Sequence, residues 1–573
     1  MIDYNVKEER FALAKRIAEE GIVMLRNDGM LPLAGAKTAV FGRMQVDTIK
    51  CGIGSAFCVS EYVVDILTGM ENEKLDFDRE LADTYREWCA KNSVMSFGVW
   101  GNGSHSHPEM PVTDEMIAAT RKNGATKALF IVGRVAGENQ DFLPMKGAYY
   151  LTDEEEDILD RICKVYDEVC VIVNSGNLMD CSFADREEVK AILFLNFPGM
   201  EGGNALARIL SGAVSPSAKL TDTIAMNYED YPSSVGFGKR GGILQKYTDD
   251  IFVGYRYFET MAKDKVRFPF GHGLSYADFE MEAISFEANE TDITATVRVK
   301  NVSDTYAGKE VVMLYSSSPK TVLGKPAIEL RGFTKTGLIP AGGEETVTVS
   351  FKTDRMASFD DTGVTGEKDA WVMEKGTFTI SLGNNVRTVK PIGVYENPAY
   401  KVLQKCTHLP TQLEERMTVD GGLEPLDFMP PNPDAGIIIP AAGVSTIAAS
   451  DYHECDGEPS SLKAGQSVTY KLDISASGPY IFTFSLKNGD EIANHYDVFL
   501  NRAPFDFDEG NKPILTPGTL RIVFVAKEDA PPALVSFTLE RNDAPRADLC
   551  GRYLLYRRRQ LCGERALGSA PPL

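Results

Sequence analysis

The sequence predicts a multidomain chain in which an α/β domain is followed by two all-β domains. Three observations carry this. The 573 residues exceed what one hydrophobic core organises. As far as about residue 275, helical periodicity alternates with short continuous apolar runs. Beyond GHGLSY (271–276) the pattern becomes apolar/polar alternation broken by Gly, Pro and Asp turns.

The elements follow in order. Residues 7–26 place Leu13, Ala14, Ile17, Ala18, Gly21 and Leu25 on one face, which predicts a half-buried helix. KTAVFGR (37–43), ALFIVGR (128–134), VCVIVNSG (169–176) and AILFLNF (191–197) read as strands of a parallel sheet buried on both faces. CGIGSA (51–56) follows the first of these. It lacks the third glycine and the acidic partner of a dinucleotide site, so a tight loop is predicted. Thr152 and Glu155 form a capping box opening a helix that carries Ile158, Leu159, Ile162 and Tyr166. This first domain is assigned residues 1–276.

ITATVRVKNVS (293–303), EVVMLYSS (310–317), ETVTVSFK (345–352) and FTISLG (378–383) predict a two-sheet sandwich of the immunoglobulin or fibronectin kind over 277–396. Residues 397–432 read as a connector. Six further strand patterns between GIIIP (436–440) and ALVSFTLE (533–540) predict a second sandwich, jelly-roll-like, over 433–541. Residues 542–573 turn abruptly Arg-rich inside an otherwise acidic chain. They read either as a basic disordered tail or as an out-of-frame terminus.

Sixty Lys and Arg against 82 Asp and Glu leave a net charge of −22, which repels phosphate backbones and anionic lipid. Nucleic-acid and membrane partners are therefore not expected, and a neutral substrate such as a sugar is compatible. No run of 18 apolar residues and no signal-peptide pattern is visible, and the ten cysteines are scattered without a CxxC pair. A cytoplasmic protein with reduced thiols is the expectation. There is no P-loop or GxSxG elbow, and no cofactor is expected. His105 and His107 share a Gly/Ser loop, where solvated side chains are a better reading than metal ligands.

The best chemical candidate is GRVAGENQDF (133–142), directly after an apolar strand. Glu138 and Asp141 lie three apart in a strand-end loop, where a carboxyl can project into a cleft and a second carboxylate can raise its pKa. Spacing alone also fits a solvated turn.

Longer stretches decide between the two. AKRIAEEGIVMLRNDGMLPL (14–33), GRVAGENQD (133–141), GMEGGNALARILSGAVSPSAKL (199–220), DDIFVGYRYFE (249–259) and FPFGHGLSY (268–276) stand in the order found in family 3 glycoside hydrolases. AGKEVVMLY (307–315), ELRGFTKTGLIPAGG (329–343) and MASFD (356–360) extend the match. The chain thus resembles the non-barrel part of that β-glucosidase family. The resemblance implies an α/β sandwich domain over 1–276 and a fibronectin type III-like domain over 277–396.

It also implies a retaining reaction. In the family an Asp nucleophile on a (β/α)₈ barrel forms a glycosyl-enzyme, and a Glu from the α/β sandwich domain acts as acid/base across a gap of roughly 5–5.5 Å. That Glu corresponds to Glu138, with Asp141 read as positioning the loop. Phe142 stands where many members carry Arg, so an anchoring ion pair is expected to be missing. The substrate implied is an oligosaccharide or β-glucoside, and the implied partner is the barrel. Neither an Ser-Asp-Trp-like nucleophile segment nor the family's Lys-His pair is found. The resemblance therefore points to the front part of an inverted-order enzyme, cut short before its nucleophile domain. The competing reading is an accessory protein binding glycan through residues 433–541, with Tyr480, Phe482, Phe484, Tyr496 and Phe505 as candidate platforms, although alternation also fits those aromatics to a core. Oligomeric state is not readable.

Overall fold

The computed structural model describes residues 4–94, 105–138, 141–237, 247–407, 415–425, 436–441, 443–459, 461–501, 503–505, 513–515 and 518–541. The Arg-rich segment 542–573 lies outside them. Two compact units emerge. The first holds residues 1–245, 249–405 and 417–422, and the second holds 246–248, 406–416 and 423–573.

The first unit opens with helix α1 (Tyr4–Glu19) and strand β1 (Val23–Asn27). This corrects the helix predicted over 7–26. Ile22 to Leu25 are four consecutive buried residues, so both sides of the segment are apolar, as in a strand covered on both faces rather than a half-buried helix. β1 pairs antiparallel with β5 (Val189–Phe194), matching Val23 to Phe194 and Asn27 to Ala191. On α1 the predicted apolar face also fails: Leu13 and Ile17 are 43% and 62% exposed, while Ala18 is buried.

Strands β2 (Thr38–Phe41), β3 (Lys127–Arg134) and β4 (Val169–Ser175) join β5 in parallel, giving the order β1-β5-β4-β3-β2. Period-two alternation sends Phe41, Phe130, Val132 and Val171 into one apolar core. Val40, Leu129, Ile131 and Ile172 go into the other. That double burial is why these strands read as unbroken apolar runs. The capping box forms as predicted: Thr152 Oγ1 accepts from Glu155 N at 3.1 Å, and Thr152 N donates to Glu155 Oε2 at 2.9 Å. In the GMEGG motif, Gly203 is a packing residue, since a Cβ there would lie 2.0 Å from Asp65 O.

The fibronectin-like body packs a four-stranded sheet (311–317, 329–335, 376–383, 390–397) on a three-stranded one (279–288, 292–301, 344–352). Ile293, Ala295, Val297 and Val299 alternate inward against Val312, Leu314, Phe378 and Ile380. Strand Lys401–Lys405 pairs with Ala370–Met373, so β-structure continues past residue 396 into what reads as connector in the sequence. The α/β and fibronectin-like bodies meet at Glu20. Its Oε1 is 2.6 Å from Lys309 Nζ and its Oε2 is 3.0 Å from Lys335 Nζ. Beside it, Lys219 bridges Glu310 at 2.9 Å. Burial opposes ionisation of Glu20, but the two lysine hydrogen bonds prevail and hold its carboxyl below the usual range.

The second unit contains a two-sheet sandwich. Strands 437–439, 467–474, 518–526, 496–500 and 503–504 form one sheet, with 454–455 beside 467–474, and 444–448, 534–541, 478–486 and 514–515 form the other. Tyr480 and Tyr496 are buried in its core, so neither is a binding platform. Phe482, Phe484 and Phe505 pack on that core and on one another, with ring centroids 5.4–6.1 Å apart. Their side chains fill the inward face as the alternation predicts.

Candidate active site

Chemistry in open α/β sheets gathers beyond the carboxyl ends of the parallel strands. Here the loop after β3 carries Glu138, the loop after β4 carries Gly176 and Asn177, and the segment after β5 carries Asn196 and Phe197. Gly42 and Arg43 follow β2 at the same edge.

The β3 loop is anchored at its root by Arg134, which is fully buried. Its Nη1 and Nη2 meet Glu155 Oε1 and Oε2 at 2.8 and 2.6 Å, a bidentate ion pair. Its remaining N–H groups donate to the carbonyls of Gly133, Ala148 and Tyr150 at 2.8–3.0 Å. One guanidinium thereby ties the outgoing strand, the returning chain at 148–150 and the start of helix α2 (Asp153–Cys163) together. Glu155 serves both the helix cap and this clamp.

Above the clamp, Val135 N donates to His105 O at 2.7 Å, and the His105 ring stands edge-on to Phe142 at 4.8 Å. Phe142 is buried, so an aromatic contact occupies the place where the resemblance implies an arginine. His105 thus has a packing role in the site loop. Next, Ile53 N donates to Ala136 O at 3.0 Å, and Ile53 bridges Gly137. This lays the CGIGSA loop alongside the catalytic candidate.

Glu138 itself is exposed. Its side chain rests against Gly54, where an added Cβ would lie 3.3 Å from Glu138 Cβ and 3.5 Å from its Oε2. Gly54 also has φ +66°, a left-handed conformation that disfavours any side chain. A bare backbone wall and an exposed carboxyl are what a group reaching out to another surface needs.

Asp141 is exposed and lines a cavity of about 670 Å³ together with Glu20, Phe142, Asn177, Lys219 and Lys335. Glu138 lies outside that cavity. Arg134, His105 and Ile53 make contacts that order the β3 loop.

One supporting carboxyl is strongly perturbed. Glu109 Oε2 and Oε1 accept from Arg43 N and Met110 N at 2.8 and 2.7 Å. Loss of solvent nonetheless pushes its pKa up to about 7, with the Glu155 carboxylate adding to the rise and the backbone donors and Arg43 opposing it. A raised folded pKa means that the stability the group contributes is complete below its unfolded value. That contribution is lost as pH rises through about 7. Urea unfolding at pH 5.5 and pH 8 should therefore show wild type losing stability over this interval. Glu109→Gln should lose less, although it starts lower because an amide accepts only one of the two backbone bonds. Equal slopes for the two proteins would remove Glu109 as the titrating group.

Residues 22–276 match the glycosyl hydrolase family 3 C-terminal domain, and residues 310–386 match the fibronectin type III-like domain. The chain is 39% identical over 408 residues to a β-glucosidase of Ruminococcus albus, covering 70% of this chain and 42% of that one. It is 34% identical over 484 residues to β-glucosidase A of Butyrivibrio fibrisolvens, covering 76% and 57%. Among solved structures, a β-glucosidase from Paenibacillus barengoltzii superposes with a TM-score of 0.69 at 34% identity, covering 80% of this chain and 56% of that one. β-Glucosidase 3B from Thermotoga neapolitana, in complex with α-D-glucose, gives 0.64 at 31%, covering 69% and 55%. The chain spans about half the length of the relatives it matches.

Proposed function

The chain belongs to glycosyl hydrolase family 3, and from that premise we propose that it supplies the acid/base carboxyl of a retaining, β-glucosidase-type hydrolase acting on terminal β-linked sugars. Glu138 is the group assigned. The observation that carries this is its exposure at the carboxyl end of β3, held on an Arg134-clamped loop with Gly54 against its side chain.

Protonated, Glu138 donates its proton to the glycosidic oxygen as the bond to the anomeric carbon breaks. The nucleophile that captures this carbon is an Asp of a (β/α)₈ barrel in the family mechanism. Glu138, now a carboxylate, then takes a proton from the water that releases the sugar. Among the described residues there is no eight-stranded parallel barrel, so the proposal gives this chain one of the two carboxyls. The names of the relatives support a β-glucoside as substrate.

Purified as it stands, the chain should not hydrolyse aryl β-glucosides, because one carboxyl cannot serve as both nucleophile and proton donor. Release of nitrophenol from 4-nitrophenyl β-glucoside checks this. Turnover abolished by Glu138→Gln would place a nucleophile within residues 1–573 and overturn the division of labour.

A further inference from the structure

The loop that backs Glu138 begins and ends with a cysteine, CGIGSAFC (51–58). Its two ends fold onto each other. Cys58 N donates to Cys51 Sγ at 3.4 Å, and Cys51 Sγ lies 3.9 Å from Cys58 O. The turn Gly54–Ala56 between them is closed by Phe57 N donating to Gly54 O at 3.1 Å. The ends are tied down as well, since Gly199 N donates to Lys50 O at 2.9 Å and Ile53 N to Ala136 O at 3.0 Å. Approach of the sulfurs is therefore built into the fold, within reach of side-chain rotation.

Accessibility singles out the same pair. Among the described cysteines Cys58 is the exposed one, whereas Cys89, Cys170 and Cys181 are buried. Cys51 is intermediate, and burial raises its thiol pKa. An exposed thiol beside a partly sheltered one is the arrangement of an attacking cysteine with a resolving partner.

We propose that Cys51 and Cys58 form a reversible thiol–disulfide site that reacts with low-molecular-weight disulfides and locks the loop supporting Glu138. Cys58 thiolate attacks one sulfur of the small disulfide, whose S–S bond breaks and expels one small thiolate. Cys51 thiolate then attacks the Cys58 sulfur of the mixed disulfide and expels the second. The two cysteines lose two electrons and two protons, and the small disulfide becomes two thiols. Pairing of the cysteines stands independently of the role assigned to Glu138.

The test treats the full native chain with oxidised glutathione, blocks remaining thiols and digests with trypsin without reduction. Lys50 and Lys74 bound one peptide containing both cysteines, so pairing is read within a single fragment. The expected product is that peptide lighter by two hydrogen atoms, restored by dithiothreitol, and formed faster in native protein than in urea. Cys51→Ser should leave Cys58 carrying one glutathionyl group, and Cys58→Ser should slow modification of the peptide. Two free thiols, two separate glutathionyl groups, or equal rates in native and urea-unfolded protein would each overturn the proposal.

Discussion

Glu138→Ala, in a fusion of this chain with a (β/α)₈ barrel from an inverted-order relative, should lose about 10²–10⁴-fold in kcat/KM on a disaccharide. On a dinitrophenyl glucoside the loss of the first step should be far smaller. The departing phenolate is already stable, so protonating the glycosidic oxygen contributes little to that barrier. The second step still needs a base for water, so glycosyl-enzyme should accumulate. A small anion such as azide, which needs no deprotonation, should then raise turnover and yield glycosyl azide. Leaving-group dependence and azide rescue separate an acid/base from a residue that merely shapes the loop. Asp141→Ala should weaken both substrates alike, as expected of a group that lines the neighbouring cavity. Equal losses on good and poor leaving groups for Glu138→Ala, without azide rescue, would transfer the acid/base assignment to Asp141.

Arg134→Met should be the most damaging single change to the stability of the first unit, at about 3–5 kcal/mol. The guanidinium is fully buried, and its removal leaves the Glu155 carboxylate inside the protein without its countercharge. Three backbone carbonyls, of Gly133, Ala148 and Tyr150, each lose a charged donor at the same time. Adding Glu155→Leu should recover part of the loss, because it removes the stranded charge, but not all of it, because the carbonyls still lack the Arg134 donors and Thr152 N loses its acceptor. Urea midpoints of the two variants and wild type decide this. A double variant no better than Arg134→Met would show that the carbonyl contacts, not the charge pair, hold the loop.

How much of this was legible beforehand depends on where the information sits. The parallel strands could be read because burial on both faces leaves an unbroken apolar run, and the helix after Thr152 because a capping box is local in sequence. β1 defeats the same kind of evidence. Six residues at helical spacing suggested one face through Leu25, yet Ile22–Leu25 is itself a continuous run, and that cue outranks periodicity when Gly21 precedes it. At the candidate site, the motif singles out Glu138, while the features that surround it are non-local. Arg134 and Glu155 are 21 residues apart, and nothing in their spacing announces a pair. Gly54 stands 84 positions before Glu138, and its significance is an absent Cβ, visible only once the loops are side by side. Phe142 could be flagged as unusual, but its contact with His105 required the fold.

The seam at Glu20 bears on how this architecture can be rearranged. Its carboxylate comes from the α/β body, and both lysines come from the fibronectin-like body. A recombination breakpoint near residue 277, the boundary that sequence comparison invites, would part the acid from its two bases. The incoming module would then have to present cations at the positions of Lys309 and Lys335, or leave a partly sheltered negative charge facing whatever arrived. The two bodies are separable modules in a sequence alignment, but electrostatically they are heritable as a pair.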